Sequence, residues 1–296
     1  IRLFGDPKKS KKSILLLVCL MVILSRLVML GIYFVWNSRQ PGDVSFFEAF
    51  RHYDANWYYG IGEHGYRAQP LPSGSAEWAF FPLMPMILHG FYLLGLHQLD
   101  AIGFFFNTAA LTAALYLAFR YILLTRQNGK MAALFCFLMC FGVFSFYFSS
   151  LYTESLFLLL LVGTLYCLEQ RRYLAVGMIG MLLSATRNTG VMLVFAVMIS
   201  YFCFKKQQWG RAVWKRLIPD FLRNHRLVLS VVLIPLGLFL FMLFLKHLTG
   251  DPLAFMRVQR VWHRTVGNPF STLYLALRST EKQTTMQALW ALGGYY

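Results

Sequence analysis

Apolar runs of about twenty residues recur along this chain, at 14–36, 101–124 and 227–248 among others. A helix of that length crosses the roughly 30 Å hydrocarbon core of a bilayer. The remaining sequence cannot offset such runs. Of 296 residues, 58% are hydrophobic, 17% aromatic and only 14% charged, where a soluble domain carries roughly 25% charged residues. Too little polar surface remains to cover a water-facing particle of this size. The sequence therefore predicts an all-α polytopic transmembrane helix bundle, with residues 1–296 as a single transmembrane domain.

The formal charge of +16 is concentrated at 8–12 and 205–226. Both clusters flank apolar segments, as cytoplasmic loops do, and no soluble basic domain exists to bind nucleic acid. The five cysteines, Cys19, Cys136, Cys140, Cys167 and Cys203, all lie in apolar stretches without zinc-site spacing and read as small core residues. No Asn-x-Ser/Thr sequon occurs, which leans toward a bacterial source. The chain begins at Ile1 and stops inside an apolar stretch, so further residues are expected at both ends. The first apolar run is too long for a cleaved signal peptide.

With 8–12 in the cytoplasm, 14–36 is the first span and 37–80 a long outer loop. Segment 81–96 is apolar but short, and it carries Pro82 and Pro85. The expected spans after it are 101–124, 131–148, 155–168, 174–186, 191–204 and 227–248, with 205–226 as a basic cytoplasmic loop. That order places 184–190 and 249–265 outside and makes 81–96 re-entrant. Broken or short helices at membrane depth persist only where protein or a cavity surrounds them.

The outer loop carries the sharpest chemical signal. Taken as one helix at 100° per residue, 43–62 puts Phe47, Phe50, Trp57, Tyr58 and Ile61 on one face and Glu48, His52, Tyr59 and Glu63 on the other. Such a helix lies in the membrane interface. Asp54 falls in the middle of its apolar face, against the binary pattern, and conflicts of that kind collect at functional sites. A carboxylate partly shielded from water is suited to take a proton near neutral pH. The structural alternative is an aspartate capping local backbone, or paired with Arg51 or Arg67.

Other polar residues also stand against their surroundings. Glu154 opens an apolar helix, where an acid in the first turn is also ordinary dipole chemistry. Arg187 lies between two apolar half-spans; an arginine at that depth is a functional candidate unless it snorkels to the interface. Arg26 sits inside the first span and serves either function or helix packing. Gly250-Asp251-Pro252 reads as a turn and helix start with Asp251 as cap. Beyond it, Arg257, Arg260 and Arg264 share a helical face suited to lipid phosphates, with generic headgroup contact as the alternative.

Five stretches in order resemble the PIG-V family, the GPI mannosyltransferase 2 proteins and their bacterial relatives. They are Tyr53-Asp54-Ala55-Asn56-Trp57-Tyr58 with Gly65-Tyr66; Ala79-Phe80-Phe81-Pro82-Leu83-Met84-Pro85; Tyr152-Thr153-Glu154-Ser155-Leu156-Phe157; Ala185-Thr186-Arg187-Asn188-Thr189-Gly190; and Gly250-Asp251-Pro252-Leu253-Ala254-Phe255 with Trp262 and Arg264. Tyr53 departs from the family pattern, which tends to place Trp before the aspartate, and the chain is shorter than family members usually are. The resemblance implies a GT-C glycosyltransferase with its active site on the non-cytoplasmic face, in a bacterial cytoplasmic membrane or, for a eukaryotic chain, the endoplasmic reticulum. It implies a polyprenyl-phosphate sugar donor, a lipid- or protein-linked glycan acceptor, and a catalytic aspartate in the first outer loop, which maps to Asp54.

Residues and resemblance together lead to one expected chemistry. Asp54 removes the acceptor proton, and the acceptor oxygen inverts the anomeric carbon. Arg187, Arg257, Arg260 and Arg264 stabilise the leaving phosphate. Trp57, Tyr58, Trp78, Glu154, Asn188, Trp262 and His263 line the substrate site. No cofactor, metal ligand set or nucleotide-binding loop is expected; membrane lipids are. A transporter or lipid flippase also uses buried charges and broken helices, although no internal repeat is present. A non-catalytic scaffold would leave Asp54, Glu154 and Arg187 in different places.

Overall fold

The computed structural model describes residues 7–262, 270, 271 and 274. Among the described residues all regular secondary structure is helical, without strands. Four stretches are long and apolar enough to cross a membrane: Lys11–Asn37, Leu99–Arg126, Asn188–Arg223 and His225–Thr249. They contain helices α1 (Pro7–Asn37), α4 (Leu99–Arg126), α8 (Leu193–Trp209) with α9 (Val213–Arg223), and α10 (His225–Thr249). Between them lie α2 (Ala55–His64), α3 (Leu83–Leu93), α5 (Gly129–Phe141), α6 (Glu154–Glu169) and α7 (Tyr173–Ser184). The short α11 (Ala254–Arg257) follows α10.

At 1.5 Å per residue, the 11 residues of α3 reach about 16 Å and the 12 of α7 about 18 Å. Neither crosses a bilayer alone; α3 has the length a re-entrant segment needs. Helix α3 packs on α2. Helix α7 lies against α10, and α6 against α4. The α7–α10 contact is built from small residues, the usual way for helices to approach closely where no hydrophobic drive exists between them. A methyl group at Gly237 would come within 2.0 Å of the Met181 carbonyl oxygen, and one at Gly177 within 2.7 Å of Ser230 Cα.

Ser184, the last residue of α7, joins that contact. Its Oγ bonds the Ile234 carbonyl at 2.6 Å and receives the Leu238 N–H at 3.3 Å. A hydroxyl is thereby threaded into the backbone ladder of α10, one residue from Pro235, where the proline already removes one ladder donor. The Ala185 carbonyl accepts the Leu83 N–H at the start of α3 at 3.0 Å. The turn that carries Arg187 is thus tied to α10 and α3 together.

The expected interfacial helix over 43–62 does not form as one piece. Residues 48–50 make a single 3-10 turn, Tyr53 adopts a left-handed φ of 52°, and α2 begins only at Ala55. The reason lies in tertiary packing. Phe46, Phe47 and Phe50 each lie 5.4–5.5 Å, centroid to centroid, from Phe104 of α4. Trp57 and Tyr58 instead meet Phe80, at 5.5 and 5.3 Å. Two apolar half-faces with different partners cannot share one straight helix axis. The chain accepts one residue in a sparsely populated region, at a cost of order 1–3 kcal/mol, to satisfy both. Asp54 therefore stands at the N-terminus of α2, not mid-face.

The expected basic loop at 205–226 is also mostly helical. Helix α8 runs to Trp209, and Gly210 turns the chain at φ +55° and ψ −130°, a backbone region open to glycine alone. Helix α9 follows at once, and Asn224 caps α10 by accepting the Leu227 N–H.

Candidate functional site

Segment 145–153 connects α5 to α6 and lies inside the bundle. Ser149, Ser150 and Thr153 have no solvent exposure, so their backbone groups need protein partners. Asn107 of α4, itself fully buried, donates its side-chain N–H groups to the carbonyls of Ser150 and Tyr152. Arg26 of α1 donates to the Phe148 carbonyl at 3.4 Å. Leu151 fills the groove over Gly103, where a Cβ would meet it at 2.0 Å.

Held this way, the segment presents three side chains to two distant parts of the chain. The Tyr152 hydroxyl donates to the His52 carbonyl at 3.1 Å and accepts the Asp54 N–H at 3.2 Å. Thr153 Oγ1 accepts from Arg187 Nε at 2.8 Å. Glu154 Oε1 takes a short hydrogen bond from Arg187 Nη2, which makes an ion pair with 28% and 11% of the two side chains exposed. Arg187 is in extended conformation, between the end of α7 and the turn Asn188–Met192, so its side chain leaves the helix axis and reaches across to α6. Glu154 Oε2 is buried without a hydrogen-bond partner among the described residues.

Asp54 does not cap α2 with its carboxylate. The arginines that could have claimed it are engaged elsewhere, Arg51 with Glu48 and Asp100, Arg67 with Glu77. The half-buried Asp54 instead shares its electrostatic surroundings with Tyr58, Tyr152 and Glu154. Burial pushes the Tyr58 phenol well above its usual range; Arg187 draws it down, while Glu154 and Asp54 add to the rise. Burial and the Asp54 charge push Tyr152 the same way. Both phenols stay neutral, and the Tyr152 proton is already given to the His52 carbonyl.

An aromatic wall stands beside the charges. Trp57 stacks on Phe80 at 5.5 Å and meets the edge of Trp262 at 6.1 Å. Asp54, Trp57, Tyr58, Glu154, Arg187 and Trp262 are thus gathered into one region from four sequence stretches. Asn188 adjoins it, exposed, on the turn after Arg187. Trp78 is not part of it. Its indole N–H donates to the Arg67 carbonyl at 2.8 Å, and its ring packs with Phe81 and Phe241 in a separate cluster.

The α-helix expected to carry Arg257 and Arg260 on one face does not continue past Arg257. Helix α11 ends at Arg257, and a 3-10 turn replaces it over 258–262. Arg257 is 68% exposed and pairs with Asp251 at 3.1 Å. Arg260 is exposed. His263 and Arg264 lie outside the described residues. Asp251 is not the expected helix cap, because α11 begins only at Ala254 with Leu253 at the cap position; its carboxylate instead closes the turn by accepting the Leu253 N–H at 3.0 Å.

Sequence reasoning missed Tyr152 and Asn107, and it gave Thr153 no role. Their signal was the run of small polar residues over 149–155, which is hard to reconcile with a lipid-facing span. Among the described residues, no three His, Cys, Asp or Glu side chains are grouped to hold a metal ion. Comparison with protein-family models, curated proteins and solved structures finds no match for this chain.

Proposed function

We propose that this chain is a membrane glycosyltransferase of the GT-C type, moving a sugar from a polyprenyl-phosphate donor to an acceptor hydroxyl on the non-cytoplasmic side. The observation that carries the reading is the meeting of Arg187 with Thr153 and Glu154, while Tyr152 holds the backbone of Asp54. A base, a cation and two neutral phenols converge from stretches about a hundred residues apart. The ordered resemblance of those same stretches to the PIG-V family adds weight.

In this reading Asp54 takes the proton of the acceptor hydroxyl as its oxygen attacks the anomeric carbon. The bond from that carbon to the phosphate oxygen breaks, the carbon inverts, and the polyprenyl phosphate leaves with the bonding pair. Arg187 faces the growing phosphate charge, where a fixed cation in a water-poor site acts most strongly. The unpartnered Glu154 Oε2 can accept a sugar hydroxyl. The Trp57–Phe80–Trp262 wall suits the apolar face of a pyranose.

The test uses the protein in proteoliposomes with labelled polyprenyl-phosphate mannose as donor probe and an extract of membrane lipids as acceptor. Wild type should move label to the acceptor fraction. Asp54→Asn should lose about 10²–10⁴-fold in rate, the range of a general base, with unchanged folding. Label that crosses the bilayer still on its donor would support a transporter or flippase instead. Wild-type transfer by Asp54→Asn would remove Asp54 as the base.

A further inference from the structure

Helix α9 has three faces with different chemistry, and one of them is largely uncovered, with only its Trp214 ring meeting Phe202 of α8 at 5.2 Å among the described ring contacts. At 100° per residue, Val213, Leu217 and Phe221 form the inner face. Val213 is buried, and Leu217 and Phe221 pack against the main core. Next to it, Trp214, Ile218 and Leu222 form a stripe that is 73%, 67% and 59% exposed. Beyond the stripe come Lys215, Arg216 and Arg223, all exposed. The one acid on the helix, Asp220, is taken up by Lys205 at 2.8 Å and by the Tyr201 hydroxyl. Those two bonds fold α9 back against α8 and fix how far the helix can roll.

We propose that α9 lies in the headgroup layer and binds anionic phospholipid, with Trp214, Ile218 and Leu222 among the acyl chains and the adjoining cations on the phosphates. This surface is separate from the Asp54–Arg187 region, and the inference does not depend on the transferase reading. Two observations select lipid over another occupant. First, α9 is the end of the membrane-length stretch Asn188–Arg223, beyond the Gly210 turn that closes α8, and it leads at once into the membrane-length α10, so its exposed edge is at the bilayer surface by connectivity. Second, 205–226 carries seven lysines and arginines against a single acid, a surplus complementary to an anionic leaflet. Each such cation near an anionic surface is worth roughly 1 kcal/mol, or about fivefold in local lipid preference. An amphipathic helix with aromatic and aliphatic residues beside lysines and arginines is the form that this binding takes.

The experiment follows Trp214 emission as the difference between the full chain and its Trp214→Phe variant. Both are reconstituted in vesicles whose brominated lipid is either phosphatidylcholine or phosphatidylglycerol at equal mole fraction. The proposal expects quenching by both bromolipids, several-fold stronger from phosphatidylglycerol. The triple variant Lys215→Gln/Arg216→Gln/Arg223→Gln should keep the quenching and lose the difference. Equal quenching by the two lipids in the wild type would overturn anionic selectivity. Quenching by aqueous iodide without any by bromolipid would place the stripe in water and overturn membrane contact. Shielding from both quenchers would mean that protein, such as a second copy, covers the stripe, and would overturn the proposal as well.

Discussion

Two arginines hold the inner segment 148–154, one from each end, and they do so in opposite ways. Arg26 reaches it from α1. Its Nε donates to Thr108 Oγ1 at 3.2 Å, its Nη1 to Ser25 Oγ at 3.3 Å and its Nη2 to the Phe148 carbonyl at 3.4 Å. Each of those acceptors is neutral. Arg187 reaches the other end and meets Thr153 and the carboxylate of Glu154. A cation taken from water must recover its lost solvation from dipoles or from a counter-charge. Dipoles alone leave a closed staple. A counter-charge brings a second reactive group, and here that group has an oxygen without a donor and Asp54 within its field. The two residues look alike in sequence; what surrounds them differs, neutral dipoles around Arg26 and a carboxylate beside Arg187.

The largest effect should come from dividing the Arg187–Glu154 pair. Arg187→Met leaves a buried carboxylate without its cation, which costs about 3–5 kcal/mol, and thermal unfolding in detergent should register the loss. Adding Glu154→Gln removes the stranded charge and should restore most of that stability. On the proposed mechanism, transfer from the lipid-phosphate donor should stay low in both variants, because each lacks the cation assigned there to the leaving phosphate. A double variant that regained activity along with stability would make Arg187 a staple like Arg26.

Arg26→Met probes the other side of the comparison. It removes hydrogen bonds from a charged donor, each worth about 1.5–3 kcal/mol, but the Phe148 carbonyl keeps the Ser155 hydroxyl at 2.8 Å. Unfolding should shift by about 1–3 kcal/mol. The rate per folded molecule should remain within about tenfold of wild type, since no group at Asp54 changes. A rate loss matching that of Arg187→Met would erase the distinction.

Much of this arrangement could be read without coordinates. The long spans follow from run length alone, and Arg187, Glu154 and Asp54 stood out because charge in apolar surroundings needs a reason. What failed were judgements that depend on which neighbour a face will find. The helical period over 43–62 was present on both sides of Tyr53, yet Phe46, Phe47 and Phe50 pack on α4 while Trp57 and Tyr58 pack on Phe80, and the break appears only with both partners in place. Trp78 was expected beside Trp57 and Tyr58 as a sugar platform, but its N–H bonds the Arg67 carbonyl and its ring packs against the cluster that holds Phe81 and Phe241. The apolar period of α9 was hidden under the charge of 205–226, because a basic loop and a basic amphipathic helix differ in spacing and not in composition. Tyr152 could not be assigned, since its bond to Asp54 joins residues 98 apart in sequence.

That tyrosine supplies the smallest and most selective prediction. Tyr152→Phe keeps the ring against Tyr147, whose centroid is 5.1 Å away, and deletes only the hydroxyl between the His52 carbonyl and the Asp54 N–H. The hydroxyl makes two hydrogen bonds, each contributing about 1 kcal/mol to stability, so unfolding should shift by about 2 kcal/mol at most. The bond nevertheless fixes the residue that starts α2 against the strained backbone of Tyr53, and a base displaced by a fraction of an ångström works less well. The transfer rate should fall by more than the roughly fivefold that 1 kcal/mol represents, with donor affinity unchanged because Arg187 is untouched. A rate equal to wild type would show that the tyrosine braces the loop without placing the base, and Tyr152 would then belong with Arg26 on the structural side of the comparison.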